Sequence, residues 1–270
     1  MATTQPQPFT GSVILMEHAR KMQQGREAKA RKELAGQQQR SFAAAQLNRL
    51  TSSWRATAER IDDELRNDLD ALRHRSRSLE NNNDDARNYF DIVETNIVGE
   101  NAPRLVSLID NAPGQPDDGA RRAVSRAWAE WCQKGVCEVT GQYSFATLCQ
   151  NIARGTARDG EYCVEILRGR AAGNRFGFAL RVIDVERLAT WMHRDASEGK
   201  EAIINGVQVD ANGKPAGYWF NQSARLSSRQ AEFMPAKSIL HRFRITRPEQ
   251  KRGIPWAHAS MLSMHYAGEF

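Results

Sequence analysis

The sequence predicts an α+β protein whose helical N-terminal half is followed by a β-rich half and by an open-ended final helix. Apolar residues recur at helical spacing from Ala58 onward, whereas beyond Gly160 they fall in the short runs typical of strands. Within those runs Asn212-Gly213 separates two apolar segments, which is the strongest short signal for a β-hairpin. The predicted segments are a basic, partly helical arm (1–57), a helical segment (58–158), a β-rich segment (159–253) and the start of a helix (254–270).

The N-terminal part of the sequence predicts the arm, followed by a pair of helices. Residues 17–46 are rich in Ala, Gln, Lys and Arg, which favour helix, but they lack a strong apolar stripe. Next, a helical stripe ends at three consecutive asparagines, and Asn83 is placed to cap a second helix that stops at Gly99. The two stripes are Ile61, Leu65, Leu69, Leu72 and Leu79, and then Ala86, Tyr89, Phe90, Val93 and Ile97.

Two more helices are predicted after a loop over 111–117 that is rich in Pro and Gly. Trp128 and Trp131 lie on the apolar stripe of the third helix, so we expect both indoles to be substantially buried. Ser144 is expected to open the fourth helix, whose apolar residues are Phe145, Leu148 and Ile152.

Strands are predicted over 162–167, 176–183, 207–210, 216–220 and 238–243. The last segment is predicted to be helical from Trp256 onward, and no capping residue ends it before Phe270. We therefore expect the polypeptide to have been cut short.

Composition excludes several classes of protein. With 40% hydrophobic and 26% charged residues the 270-residue chain is neither a disordered tail nor a membrane protein. No apolar run approaches the ~18 residues of a transmembrane helix, and no secretory signal peptide is present. The net charge of +6 permits contact with a polyanion.

No metal or cofactor site is predicted. The cysteines, Cys132, Cys137, Cys149 and Cys163, lack the paired spacing of a zinc site, and we expect them to be reduced and mostly buried. The histidines are scattered without carboxylate partners at ligand spacing. The phosphate-binding loop, the nucleophile elbow and the zinc-protease helix are all missing from the sequence.

One enzymatic alternative remains open from the residues alone. Asp184 ends a predicted strand, and Glu198 and Lys200 follow in the Glu-x-Lys arrangement of metal-dependent nucleases. In such enzymes two carboxylates hold Mg²⁺ and the lysine contacts the attacked phosphate. The surrounding residues favour a loop over a buried strand, so we expect the protein not to be an enzyme.

A cluster of cations precedes the final segment. Its arginines are Arg242, Arg244, Arg247 and Arg252, with Lys251 beside them and Pro248 and Gly253 shaping a loop. Arginine forks bind phosphate and carboxylate equally well. The cluster is therefore predicted to contact either DNA or a neighbouring subunit.

Several segments, in order, resemble the lambda-type portal proteins of tailed bacteriophages, from about Phe42 to the last residue. The first half carries Phe42-x-Ala-Ala and Trp54, then Arg73, Arg75 and Arg77, then Asn82-Asn83, and then Ile97-Val98-Gly99. The second half carries Asp159-Gly160-Glu161, Val182-Ile183-Asp184, the hairpin around Gly213, and Arg247-Pro248 through Arg252-Gly253-Ile254-Pro255. Glu80, Glu249 and Lys251 depart from the family pattern.

The resemblance implies a structural subunit without covalent chemistry. Such subunits form a ring of about twelve copies at one capsid vertex. The ring serves DNA packaging and ejection and joins head to tail. Implied partners are other copies of the chain, terminase, capsid and head-completion proteins, and double-stranded DNA without sequence preference. The implied location is the virion, after synthesis in the host cytoplasm.

The resemblance also carries expectations about length and about individual residues. Family members are about twice as long, so this chain resembles the N-terminal, mainly wing-region half of a portal. Because the family keeps arginine at Arg247 and Arg252, we expect both to make fixed contacts, to backbone carbonyls or to carboxylates of the same or a neighbouring subunit. Lys251 is expected to point to solvent.

Overall fold

A computed structural model describes residues 20–29, 60–100, 103–197, 199–222 and 230–268. The chain divides into two compact units, Met1–Ala58 and Glu59–Phe270. Within the first unit the described residues, 20–29, form an exposed helix, α1. The remaining predictions for the arm lie outside the described residues, and all elements named below belong to the second unit.

Helices α2 (Ile61–Asn82) and α3 (Asp84–Ile97) form the predicted pair. Asn83 separates them as predicted, because its side-chain oxygen accepts a hydrogen bond from the backbone N–H of Ala86 at 2.9 Å. The stripe of α2 buries Leu65 and Leu69, and that of α3 buries Ala86 and Phe90. Ile97 lies in the last turn of α3 and is exposed.

Helices α4 (Asp118–Trp131) and α5 (Phe145–Asp159) follow a two-stranded hairpin formed by β1 (Asp110–Ala112) and β2 (Gln115–Pro116). Ser144 caps α5 as predicted, accepting from the N–H of Thr147. Trp131 is buried and donates its indole N–H to the carbonyl of Phe178 at 2.9 Å. Trp128 stacks on it but is only half-buried.

The central sheet is antiparallel, with the order β4-β3-β9. Its strands are β3 (Glu161–Arg168), β4 (Phe178–Ile183) and β9 (Ile239–Phe243). Because side chains alternate along a strand, β3 sends Val164 toward Trp131 and Leu148, and Cys163 toward the second sheet. The middle strand is therefore buried on both faces.

A second antiparallel sheet has the order β5-β6-β7-β8. Its strands are β5 (Ala202–Ile204), β6 (Val207–Val209), β7 (Pro215–Asn221) and β8 (Ala231–Pro235). The predicted Asn212-Gly213 turn joins β6 to β7, closed by the hydrogen bond from Asp210 N–H to the carbonyl of Lys214. The sequence analysis missed β5 and β8, but the α+β class is confirmed.

The final helix begins later than predicted. Residues 256–260 form turns with hydrogen bonds from His258 N–H to Pro255 and from Ser260 N–H to Ala257, three residues apart. Helix α6 (Met261–Ala267) follows and packs against α2. No helix in the described part of the chain is long and apolar enough to span a membrane.

Candidate functional site

A buried charge network lies where α2, the central sheet and the loop before α6 meet. Its centre is Glu161, the first residue of β3, with Arg73 from α2 and Arg252 from the loop on either side. All three side chains have no exposed surface. Three segments that carry the family resemblance therefore converge on one carboxylate.

The carboxylate of Glu161 receives donors from four residues. Arg73 donates through Nη2, and Arg252 donates through Nε at 2.9 Å. The backbone N–H of Gly253 and the imidazole Nε2 of His241 each lie 2.8 Å from its other oxygen, Oε2. The carboxylate thus joins four chain segments in one buried cluster.

The surroundings of Glu161 favour the ionised form of its carboxyl group. Burial alone raises the pKa of a carboxyl, but the positive charges of Arg252 and Arg73 and the hydrogen bond from His241 outweigh burial. The net result is a Glu161 pKa well below its ordinary value of 4.5. In contrast, burial lowers the pKa of Arg73 despite the nearby carboxylate. The cluster is suited to bracing the fold because its central carboxylate stays ionised near neutral pH.

The fork of Arg252 reaches a second set of acceptors. Its Nη1 donates to the backbone carbonyl of Asn205 and lies 3.3 Å from the hydroxyl of Thr190. Asn205 in turn donates from its side chain to the carbonyl of Asp62 at 2.7 Å. Arg252 consequently ties the second sheet to α2 as well as to β3.

Two glycines allow the backbone of the loop to reach β3. Gly160 ends α5 with a left-handed φ of 88°. A Cβ on Gly253 would overlap the carbonyl oxygen of Gly160, and a Cβ on Gly160 would overlap the backbone of Ile254. Only glycine permits this approach at both positions, which brings the Gly253 N–H within reach of Glu161.

A second cluster surrounds Arg77, one turn beyond Arg73 on α2. Its guanidinium donates to Asp159 and to Asp184, both at 2.7 Å, and to Glu186 at 2.8 Å. Burial lowers the Arg77 pKa, but these hydrogen bonds reverse the shift and raise it. At Asp184, burial raises the pKa, but the hydrogen bonds from Arg77 and from the backbone N–H of Glu186 outweigh burial and lower it. His74 adds a contact to Glu186.

A third cluster uses Glu80, one of the departures from the family pattern. Its two carboxylate oxygens accept from Arg154 at 2.6 Å and from Arg158 at 3.0 Å, so that α2 is paired with α5. Arg154 also pairs with Asp91 and with Glu94 of α3. The acidic residue at position 80 therefore has two arginine partners within its own chain.

The other residues singled out by the resemblance have local contacts. Asn82 donates to the carbonyl of Ser78 at 2.9 Å, and Asn83 donates to the carbonyl of Met264 at 3.0 Å in addition to capping α3. The carbonyl of Gly99 accepts from the side chain of Gln150 at 3.0 Å. Arg75 is exposed and lines a groove between α2 and α6.

The cationic cluster divides into exposed and buried members. Arg242 and Arg244 are exposed, and Arg247 pairs with Glu64 of α2 at 3.0 Å across a solvent-exposed surface. Arg252 is fully buried in its own chain, where it makes the fixed contacts expected of it, to the carboxylate of Glu161 and to the carbonyl of Asn205. Its alternative assignment as a contact for DNA or for a neighbouring subunit is therefore wrong. The expectation for Lys251 is also wrong, because Nζ of this half-buried side chain donates to the carbonyl of Gly213 at 2.9 Å.

The nuclease alternative gains no support from the described geometry. The Asp184 carboxylate contacts Arg77 and caps the turn at Glu186, whose N–H it accepts at 3.0 Å. Lys200 lies in a tight turn with Ser197, and Glu198 lies outside the described residues. Among the residues that the structure describes, no group of His, Cys, Asp and Glu is arranged to hold a metal ion.

The sequence analysis did not single out Asp159, Glu161 or His241 as site residues. The available signal was Asp159-Gly-Glu161 at the junction of a helix and an apolar strand, where acidic residues are seldom buried without a partner. The partners themselves lie 80 to 92 positions away in the sequence, beyond the reach of local patterns.

The described residues of the second unit form an α+β fold with buried ion pairs within one chain. Residues 47–270 match the family described as "Phage portal protein, lambda family". The chain belongs to this family, which confirms the resemblance seen in the sequence.

The chain is also similar to the "Probable portal protein" of Halomonas phage phiHAP-1, with 33% identity over 239 residues. The aligned region covers 86% of this chain and 46% of that protein. The chain thus spans about half the length of the curated relative it matches.

Proposed function

We propose that this chain belongs to a portal subunit that forms a ring of about twelve copies at one capsid vertex. The ring admits double-stranded DNA during packaging, releases it on ejection and joins the head to the tail. Its partners are further copies of itself, terminase, capsid and head-completion proteins, and DNA bound without sequence preference. It resides in the virion after synthesis in the host cytoplasm.

The observation that carries the proposal is the family match over residues 47–270. The charge network adds physical support, because Arg73, Glu161 and Arg252 come from three of the resembling segments and meet in one buried cluster. A subunit of a load-bearing ring must keep its segments in fixed positions while DNA passes. Buried ion pairs with several donors on one carboxylate supply such fixed geometry.

The segment boundaries belong to the same proposal. Residues 58–158 and 159–253 would form the helical and the β-rich parts of a wing region, and residues 254–270 would lead toward the channel-lining part. The nuclease alternative is not carried forward, because Arg77 and the turn at Glu186 engage the carboxylate of Asp184.

The test is the assembly state of this chain extended to the length of its phage relative. Mass photometry and negative-stain electron microscopy should show closed rings of about twelve subunits. Monomers or open filaments under all salt conditions would contradict the proposal. Plasmid DNA incubated with Mg²⁺ or Mn²⁺ should stay intact, and cleavage abolished by Asp184→Ala would restore the nuclease alternative.

A further inference from the structure

Helix α1 (residues 20–29) carries its cations mainly on one side. It contains four cations and one carboxylate, and all ten of its residues are exposed. At about 100° per residue, Lys21, Arg26 and Lys29 fall within about 140° of the helix circumference. Glu27 lies on the opposite side, about 170° from the middle of that arc. The helix therefore has a cationic face, defined by Lys21, Arg26 and Lys29.

A glycine lies in the middle of the cationic face. Gly25 follows Lys21 by four residues and precedes Lys29 by four, so the three positions form one row about 12 Å long on the helix. An interior glycine weakens a helix, and among the described residues nothing lies within 4 Å of a Cβ added to Gly25. The bare backbone between the two lysines lets an elongated ligand approach both ammonium groups closely.

The cations of this face are available to a partner. Within the described part of the chain no ion pair engages Lys21, Arg26 or Lys29, and the hydrogen bond from Gln23 to Glu27 lies on the other side of the helix. Arg26 and Lys29 are neighbours on the helix surface, where like charges destabilise a helix. A helix of ten exposed residues is also marginal in water by itself. Binding of an anion to the cationic face therefore stabilises α1.

We propose that the cationic face of α1 binds the phosphate backbone of double-stranded DNA. Duplex DNA is a continuous polyanion with one charge per about 1.7 Å of its axis. Lysine is depleted at interfaces between proteins, whereas protein–DNA interfaces are much more positively charged, and two of the three cations on the face are lysines. The charge and composition of the face therefore favour DNA over an acidic protein surface.

Contacts of this kind fix no DNA sequence. Phosphate groups are the same at every base pair, so cations that bind them position the duplex without reading it. The inference rests on the proposed function, in which double-stranded DNA is a partner bound without sequence preference. It adds the residues of this chain that make the contact.

The contact is tested by the salt dependence of DNA affinity, measured by fluorescence anisotropy with this 270-residue chain and labelled duplex DNA of mixed sequence. The test variant combines Lys21→Gln, Arg26→Gln and Lys29→Gln, because glutamine favours helix about as well as lysine and arginine do. Loss of three phosphate contacts should make the slope of log affinity against log salt less negative by about three units.

Two controls separate the cationic face from total charge. Arg122→Gln with Arg126→Gln and Arg170→Gln removes three exposed arginines of the second unit and gives the same net charge as the test variant. This control should keep the slope of the unaltered chain. Within α1, Arg20 lies outside the cationic face, so Arg20→Gln should also keep that slope, whereas Lys29→Gln alone should change it by about one unit.

Hydrogen exchange completes the test. The amides of residues 20–29 should exchange more slowly when duplex DNA is added, and the test variant should lose this protection. Absence of DNA binding, or equal slopes for the test variant and the three-arginine control, would overturn the inference. Protection by poly-glutamate or by anionic lipid vesicles but not by DNA would also overturn it. Closed rings of the extended chain would uphold the proposed ring in any of those cases, whereas monomers with the expected change of slope would overturn the ring alone.

Discussion

The Nε of Arg252 lies 2.9 Å from the carboxylate of Glu161, and both side chains are completely buried. The two residues are 91 positions apart in the sequence. The pair joins the first residue of the middle strand to the loop that precedes the last helix. Its burial makes it sensitive to substitution, because a charge that loses its partner in the interior has no water to replace it.

Glu161→Gln should destabilise the protein strongly. The amide keeps the shape of the side chain but removes the negative charge, which leaves Arg73 and Arg252 buried without their shared carboxylate. We expect a loss of about 3–5 kcal/mol in the free energy of unfolding, measured by urea denaturation.

The matched control for this substitution is Glu165→Gln on the same strand. Glu165 pairs with Arg181 at 2.7 Å, and that arginine is partly exposed, so solvent screens the interaction. We expect a change of at most about 1 kcal/mol. Equal losses for the two variants would contradict the special role given to Glu161.

Arg252→Lys should be far more damaging than Arg247→Lys. A lysine at position 252 cannot contact Glu161, Thr190 and Asn205 together, because it lacks the planar fork. We expect a loss of about 1–3 kcal/mol in unfolding free energy. At position 247 the contact with Glu64 is exposed and a lysine keeps the charge, so a change of at most about 1 kcal/mol is expected.

This difference refines the expectation drawn from the sequence, which treated Arg247 and Arg252 alike. Similar thermal unfolding temperatures for the two lysine variants would show that the buried fork is not needed. A larger loss of unfolding free energy in Arg247→Lys than in Arg252→Lys would show that the exposed contact with Glu64 contributes more to stability than the buried contacts of Arg252.

Local patterns in the sequence predicted the local features of the fold. Asn83 and Ser144 cap helices where expected, and Asn212-Gly213 forms the expected turn, because each depends on residues within a few positions. Pairings across the chain could not be read in the same way. Arg77 meets Asp184 over 107 positions, and nothing near either residue specifies the other.

The sequence also could not predict which individual charged side chains are buried. The cationic cluster reads as one surface in sequence, but Arg252 is buried while Arg242 is exposed. What separates them is the close approach of the loop to β3, which depends on Gly160 and Gly253 together. The apolar content of residues 256–260 predicted that the final helix starts at Trp256, but these residues form turns and α6 starts at Met261.

Gly253→Ala should destabilise the protein, whereas Gly155→Ala should stabilise it. A Cβ at position 253 would overlap the Gly160 carbonyl and push the loop away from Glu161. At position 155, within α5, nothing lies within 4 Å of an added Cβ, and alanine favours helix over glycine by about 0.5–1 kcal/mol. Thermal unfolding of both variants decides this, and an unchanged Gly253→Ala variant would show that the loop moves freely.

Acid should unfold the protein partly through Glu161. Because the pKa of Glu161 is lower in the folded protein than its ordinary value of 4.5, the stability it contributes is fully present above about pH 4.5. That contribution is lost as the pH falls from 4.5 through the lowered value in the folded state. The unfolding free energy should therefore decrease below pH 4.5, and the decrease should be shallower in Glu161→Gln. Identical slopes would place the acid sensitivity in other carboxylates.

Removal of charge at Arg242 and Arg244 should separate the two interpretations of the exposed arginines. Both side chains are exposed, so Arg242→Gln with Arg244→Gln should change stability by only about 0.5 kcal/mol each. If they contact phosphate, binding of this chain to double-stranded DNA weakens. The slope of log affinity against log salt then becomes less negative by about one unit for each lost contact.

The control for these arginines is the pair Arg168→Gln with Arg170→Gln. These two exposed residues lie at and just after the end of β3, and their removal gives the same net charge. We expect the control to bind DNA more tightly than the test variant, because position and not total charge determines a phosphate contact. Equal DNA affinity for the two variants, together with weaker self-association of the Arg242 and Arg244 variant alone, would instead assign these arginines to contacts between subunits. That outcome would follow from the ability of an arginine fork to bind a neighbouring carboxylate as readily as a phosphate.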